Sequence, residues 1–242
     1  CPDYESILNG ACSRLRETGE IDYDSLRSFP SILFGLESAL LHYKCGSYSF
    51  WNTSFSRGEK GIPINGLIWM GNTESMQKQI ADKLEAGFRC IKLKIGALNF
   101  EEELKVLRGI RSNYSKEELM LRVDANGAFS PGEAMDKLNR LAELEIHSIE
   151  QPIRNGQWDE MAKLASISPV PIALDEELIG VNCLTEKKKL LTNIKPQYII
   201  LKPSLHGGLV GAEEWIKEAT NLNIDWWITS ALESNIGLNV IA

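Results

Sequence analysis

Five charged residues recur at near-constant spacing: Lys94, Asp124, Glu150, Asp175 and Lys202, separated by 30, 26, 25 and 27 residues. Each lies at or near the end of an apolar, strand-like run: CIKLKIG, LMLRVDAN, IHSIEQP, IALDEEL and YIILKPS. A charge at the end of a buried strand is costly unless it is paired or binds a metal. Five in one register therefore imply a shared site. Three carboxylates with no nearby histidine or cysteine favour a hard cation, Mg2+ before zinc, with Mn2+ as the alternative. Two amines flanking such a cation suit proton removal next to a substrate carboxylate, where positive charge stabilises the developing enediolate. Taken singly, each carboxylate reads more often as a helix cap or salt-bridge partner, and the alternative for Lys202 is half of a structural ion pair.

Lys92 precedes Lys94 by two residues, and residues two apart on a strand share a face. With both facing inward, two amines lie close together. Like charge and desolvation are then expected to lower a lysine pKa and supply a neutral base. The rival is a surface strand with its lysines outward. Ile91, Leu93 and Ile95 weigh against it, because they need burial on the opposite face.

These residues require a scaffold that brings five strand ends together. From about residue 67 the chain alternates strand and helix. GLIWMG is a short apolar run, followed by an amphipathic helix over 73–86 with Thr73 as candidate N-cap and Gly87 as stop. Further helices are expected over 99–112, from the Ser130-Pro131-Gly132-Glu133 capping box, over 208–221 and from Ser234. DWWITSALE supplies a seventh strand, in which Trp226 and Trp227 read as core packing. Strands rich in Ile, Leu and Val suit a parallel sheet covered on both faces. The fold class is α/β, a TIM-type (β/α)7β barrel. A doubly wound sheet is the rival, but it would gather functional groups at one switch point rather than at five successive strand ends. The chain reaches Ala242 within a helix, so this reading places a truncation before the last strand. Residues 1–62 lack the alternation. There, 30–43 reads as one helix and 46–61 as a polar linker, giving part of a second, smaller domain over 1–62 and a barrel over 63–242.

The chain has 242 residues, a formal net charge of −7 and 24% charged residues. That balance argues against a nucleic-acid partner, and no apolar run reaches the roughly 18 residues that span a bilayer. Cys1, Cys12, Cys45, Cys90 and Cys183 are scattered without a metal-ligand spacing. A reduced, cytoplasmic setting follows as the simplest expectation. The expected partner is a small carboxylate substrate, and no oligomeric state is read from the sequence.

The KxK pair, the D, E and D ending strands three to five, and the following K resemble the enolase superfamily, muconate-lactonizing subgroup, over about residues 30–242. The resemblance implies that Lys94 is the general base, which then returns its proton to a departing hydroxyl. It implies that Lys92 tunes Lys94 and stabilises the enediolate, that Asp124, Glu150 and Asp175 bind Mg2+, and that Lys202 stabilises the intermediate as an ammonium. The strings VDANGAF, IEQP, LDEEL, LKPSLHGG and TSALESNIGLN most resemble members that carry out syn-dehydration of 2-succinyl-6-hydroxy-2,4-cyclohexadiene-1-carboxylate in menaquinone biosynthesis. N-acylamino acid racemases and dipeptide epimerases share the five-residue pattern. A non-catalytic barrel that binds a small acid is the rival from another class, and the intact Lys94/Lys202 pair argues against it.

Lesser candidates complete the reading. Asn126 is either a site contact or part of an Asn-Gly turn. Glu176 is either a support behind the metal ligands or a salt-bridge partner. Ser230, in the strand-seven segment that resembles the family's substrate-adjacent stretch, is a candidate substrate contact. Gly207-Gly208 before a helix reads as an anion cradle or an ordinary turn. His206 reads as incidental.

Overall fold

The computed structural model describes residues 3–69 and 71–242; Cys1 and Met70 of the readings above lie outside the described residues. Seven strands, β1 (Gly66–Ile68), β2 (Cys90–Lys94), β3 (Met120–Asp124), β4 (Ser148–Glu150), β5 (Ile172–Leu174), β6 (Tyr198–Leu201) and β7 (Asp225–Ile228), pair in sequence order. Every pairing is parallel. Sequential order in one direction is the arrangement of a curling barrel wall and excludes the switch-point order of a doubly wound sheet. Helices α4 (Thr73–Glu85), α5 (Phe100–Arg111), α6 (Pro131–Ala142), α7 (Trp158–Ile167), α8 (Leu184–Ile194) and α9 (Gly208–Asn221) alternate with the strands, and α10 (Asn235–Ile241) follows β7. The main core lies between strands and helices, where Ile91, Leu93, Leu121, Val123, Ile149, Ile172, Leu174, Ile199 and Leu201 are buried. No helix among the described residues is long and apolar enough to cross a membrane.

The capping box expected at Ser130 is present: the Ser130 side chain accepts from the Glu133 amide, and Glu133 accepts from the Ser130 amide. At α4 the cap differs from expectation. Asn72, one residue earlier than Thr73, accepts the Ser75 amide at 2.8 Å. Asn72 is the last residue with extended φ and ψ, so its side chain reaches back over the first turn.

The N-terminal segment is more helical than its composition signals. Beside α3 (Pro30–Cys45) it contains α1 (Tyr4–Thr18) and the short α2 (Tyr23–Leu26). The clue for α1 is thin: Ile7, Ala11 and Leu15 at four-residue spacing, and Gly19 at φ 73° as its left-handed stop. The polar stretch after α3 is also anchored, because Phe50 is buried against Phe34 of α3 and Val240 of α10.

α3 contributes more than packing. Its buried Glu37 accepts the Leu209 amide at 2.5 Å and the Val210 amide at 3.1 Å, capping α9 from across the chain. The Gly207-Gly208 turn is thus occupied by a carboxylate of the protein itself, and an anion cradle there is excluded. Gly208, at φ 74°, leaves no room for a Cβ beside Glu37 and Leu33. Burial pushes the Glu37 carboxyl up, against the pull of the two amides. Glu37→Ala is expected to destabilise the protein by about 2 kcal/mol, since it strips two helix-end amides of a charged acceptor. Chemical denaturation measures this, and a loss under about 0.5 kcal/mol would mean that the cap is dispensable.

Neither Trp226 nor Trp227 is fully buried among the described residues. Trp226 is 40% exposed on β7, which pairs only with β6 among the described residues. Trp227 turns inward, with the Arg122 guanidinium 4.1 Å above its ring.

Candidate active site

The strands deliver the five charges side by side. Lys94, Asp124 and Glu150 are the last residues of β2, β3 and β4, and Asp175 and Lys202 immediately follow β5 and β6. Register pairs Lys94 with Asp124 and Asp124 with Glu150. The row therefore runs amine, three carboxylates, amine. Ile91, Leu93 and Ile95 fill the helix-facing side of β2 at 0–1% exposure, so period-two alternation turns Lys92 and Lys94 inward.

Each amine meets a carboxylate. Lys94 Nζ lies 2.6 Å from Asp124 Oδ2 and donates to Asn126 Oδ1 at 2.8 Å. Lys92 Nζ bridges Asp124 Oδ2 at 2.8 Å and Glu150 Oε2 at 2.5 Å. Lys202 pairs with Asp175. Asn126 reaches Lys94 from the Asn-Gly turn. It lies at φ 44° in the Asn-Gly turn, and its Nδ2 donates to Glu176 Oε1 at 2.8 Å. Glu176 is thereby linked to Lys94 through one amide. Ser230 is half-buried just beyond β7.

The electrostatics follow from burial and crowding. Burial opposes ionisation of Asp124, but the Lys92 charge, a hydrogen bond with Glu150 and the Lys94 charge prevail and hold its pKa at about 2. Burial pushes Glu150 well above the usual carboxylate range. The Asp124 and Asp175 charges add to that push, and Lys92 opposes it. For Lys92 the sequence-based expectation of a lowered pKa is wrong. Burial lowers it, but the Glu150 and Asp124 charges more than compensate, and the net direction is up. Carboxylates next door outweigh a second amine.

The donor set fits a hard divalent cation. Its carboxylates are all oxygen donors, and Glu150 Oε1 and Asp175 Oδ1 are buried without a hydrogen-bond partner. Among the described residues no three acidic, imidazole or thiol groups stand ready around one point. The carboxylates lean instead onto the three lysines.

Several positioning groups escape the sequence pattern. Gln151, fully buried, follows Glu150 and uses its side chain completely. Its Oε1 accepts the Asp175 and Glu177 amides, each at 3.2 Å, and its Nε2 donates to Ile153 O at 3.0 Å and Glu177 Oε2 at 3.1 Å. Buried Glu103 accepts the Gly96 and Leu98 amides at 2.7 and 3.0 Å, fixing the loop that leaves Lys94. His206 is not incidental: it is buried, and its Nδ1 accepts the Lys202 amide at 3.0 Å. Burial lowers its pKa to about 4, so it is neutral near pH 7. The one sequence signal for these three is a polar residue inside or beside an apolar run, and many surface positions share it.

A parallel β/α barrel wall with amines and carboxylates at its C-terminal strand ends defines a class: β/α barrels that gather their charged groups at the strand tips. Residues 75–242 match the family described as Enolase C-terminal domain-like, and the chain belongs to that family. It is 52% identical to o-succinylbenzoate synthase of Desulfotalea psychrophila, over 99% of this chain and 64% of that protein. It is 24% identical to N-succinyl-L-Arg/Lys racemase of Bacillus cereus, over 74% of this chain and 48% of that protein. Among solved structures it superposes on MenC from Desulfotalea psychrophila with a TM-score of 0.84 and 50% identity, covering 99% of this chain and 66% of that one. Muconate cycloisomerase from Pseudomonas fluorescens shares the fold, with a TM-score of 0.75 at 24% identity over 95% of this chain and 62% of that one. The chain thus spans about half to two-thirds of the length of the proteins it matches.

Proposed function

We propose that this chain is the barrel part of a Mg2+-dependent carbon–oxygen lyase. Its reaction is syn-dehydration of 2-succinyl-6-hydroxy-2,4-cyclohexadiene-1-carboxylate to o-succinylbenzoate, a step of menaquinone biosynthesis, and its setting is the cytoplasm. The observation that carries this reading is the 52% identity to an o-succinylbenzoate synthase across 99% of the chain. The row of amines and carboxylates supports it with chemistry of the right kind. Residues 1–62 then form the C-terminal part of a cap domain with its linker, and 63–242 the barrel.

Lys94 Nζ takes the proton on the carbon next to the substrate carboxylate. As the carbon–oxygen bond to the ring hydroxyl breaks, the Lys94 ammonium returns that proton and water departs, leaving an aromatic ring. Lys92 and Lys202, held at either side of the carboxylates, meet the negative charge that builds on the substrate. Asp124, Glu150 and Asp175 would hold Mg2+, which when bound would supply charge neutralisation at the substrate carboxylate. Asn126 orients Lys94, Glu176 supports Asn126, and Ser230 contacts the substrate from just beyond β7. The local cations offset the −7 net charge that would otherwise repel a dianionic substrate.

The test uses the full-length protein with Mg2+ and the cyclohexadiene, followed by the absorbance change on aromatisation. Turnover is expected. Its absence, with α-proton exchange on N-acylamino acids instead, would move the assignment to a racemase or epimerase. Binding of small acids without either reaction would leave a non-catalytic barrel.

A further inference from the structure

Three strand ends must hold their carboxylates in fixed relation for one cation to be shared, and a single residue touches all three. Gln151 directly follows Glu150 on β4. Its side-chain Oε1 accepts the Asp175 amide beyond β5. Its backbone carbonyl accepts the Gly127 amide at 2.7 Å, in the turn that follows Asp124 on β3. Its own amide donates to Ala173 O on β5 at 2.9 Å. Buried Glu177 braces it from the other side, taking Nε2 of Gln151 at 3.1 Å and the Gly156 amide at 2.7 Å. The backbone of Gln151 lies at φ 41°, a conformation a non-glycine residue adopts only where its surroundings enforce it.

We infer that Gln151 is a positioning residue that locks the Asp124, Glu150 and Asp175 strand ends into one spacing, and so sets the affinity of the site for a divalent cation. The inference rests on the metal reading given above. Its side chain contacts only the Asp175 and Glu177 amides, Ile153 O and Glu177, and reaches none of the three carboxylates. Its action is through backbone geometry. A leucine of similar reach keeps the volume but leaves two amides, one carbonyl and one carboxylate oxygen without their partner. The Asp175 end is then free to shift. Outer partners of this kind typically change metal affinity by roughly 10–100-fold.

Mn2+ binding to the full-length protein, measured by titration calorimetry or by the loss of free-ion electron paramagnetic resonance signal, reads this directly without turnover. Gln151→Leu is expected to raise the Kd for Mn2+ by about 10–100-fold. Any effect on kcat at saturating metal should be smaller than the effect on Kd, because the Gln151 side chain hydrogen-bonds to none of the three lysines. An unchanged Kd, or a fall in kcat with Kd unchanged, would overturn the inference. Should Gln151→Leu fail to fold, Glu177→Gln and Glu177→Leu take its place. Glu177→Gln keeps one acceptor oxygen, which can serve Gln151 Nε2 while the Gly156 amide loses its partner, and should bind Mn2+ more tightly than Glu177→Leu. Leu at 177 removes it and should weaken binding. Equal affinity in the two would count against the role. A wild-type protein that binds no Mn2+ would sink the metal reading itself and this inference with it.

Discussion

Lys94→Ala is expected to lower kcat by on the order of 10²–10⁴, the usual range for losing a general acid–base group. The geometry makes the loss specific. Lys94 is the amine held by both Asp124 and Asn126, whereas Lys92 is spread over two carboxylates. After truncation Lys92 still neutralises Asp124, so the buried carboxylate keeps a partner and the protein should remain folded. Lys92 cannot take over, because it would have to leave both Asp124 and Glu150 to reach the substrate proton. Steady-state kinetics on the cyclohexadiene reads the effect, and a loss below tenfold would remove Lys94 from the base role.

Glu150→Gln is the second large effect, and it separates function from stability. Glu150 is 3% exposed and crowded by Asp124 and Asp175, which with burial raise its pKa well above the usual range. A raised carboxylate pKa means that the ionised form is disfavoured in the folded state relative to the unfolded chain. The neutral amide removes that penalty, so the metal-free variant should be at least as stable as the metal-free parent. The same change deletes one oxygen donor of the proposed site. Divalent-ion affinity should fall by more than the roughly 10–100-fold that follows loss of an outer partner, and activity should fall with it. Stability gained where binding is lost is the trade expected of a strained functional site. Thermal denaturation without metal, paired with Mn2+ titration, reads both halves. A destabilised variant that still binds the ion would contradict the account.

The parts of this molecule that were legible in its sequence are those encoded locally. The β2 and β3 strands announce themselves because Ile91, Leu93, Val123 and the charges alternate with period two. Proline and the Ser130/Glu133 pair mark the start of α6 within four residues. Equal spacing of Asp124, Glu150 and Asp175 survives because each β/α unit has nearly the same length. What escaped is set by contacts between distant segments. Glu37 caps a helix 172 residues away, so no local pattern at Gly207-Gly208 could show that the turn was filled. Lys92 departs from the sequence-based expectation for a related reason. Its neighbour in sequence is an amine, whereas its neighbours in space are two carboxylates.

The central claim is that the three carboxylates act as a metal site on which the lysine chemistry depends. Turnover of the cyclohexadiene by the full-length protein, measured after exhaustive chelation and again after adding Mg2+, tests it most directly. Activity should fall to background on chelation and return with Mg2+. Turnover that persists in the metal-free protein would contradict the account.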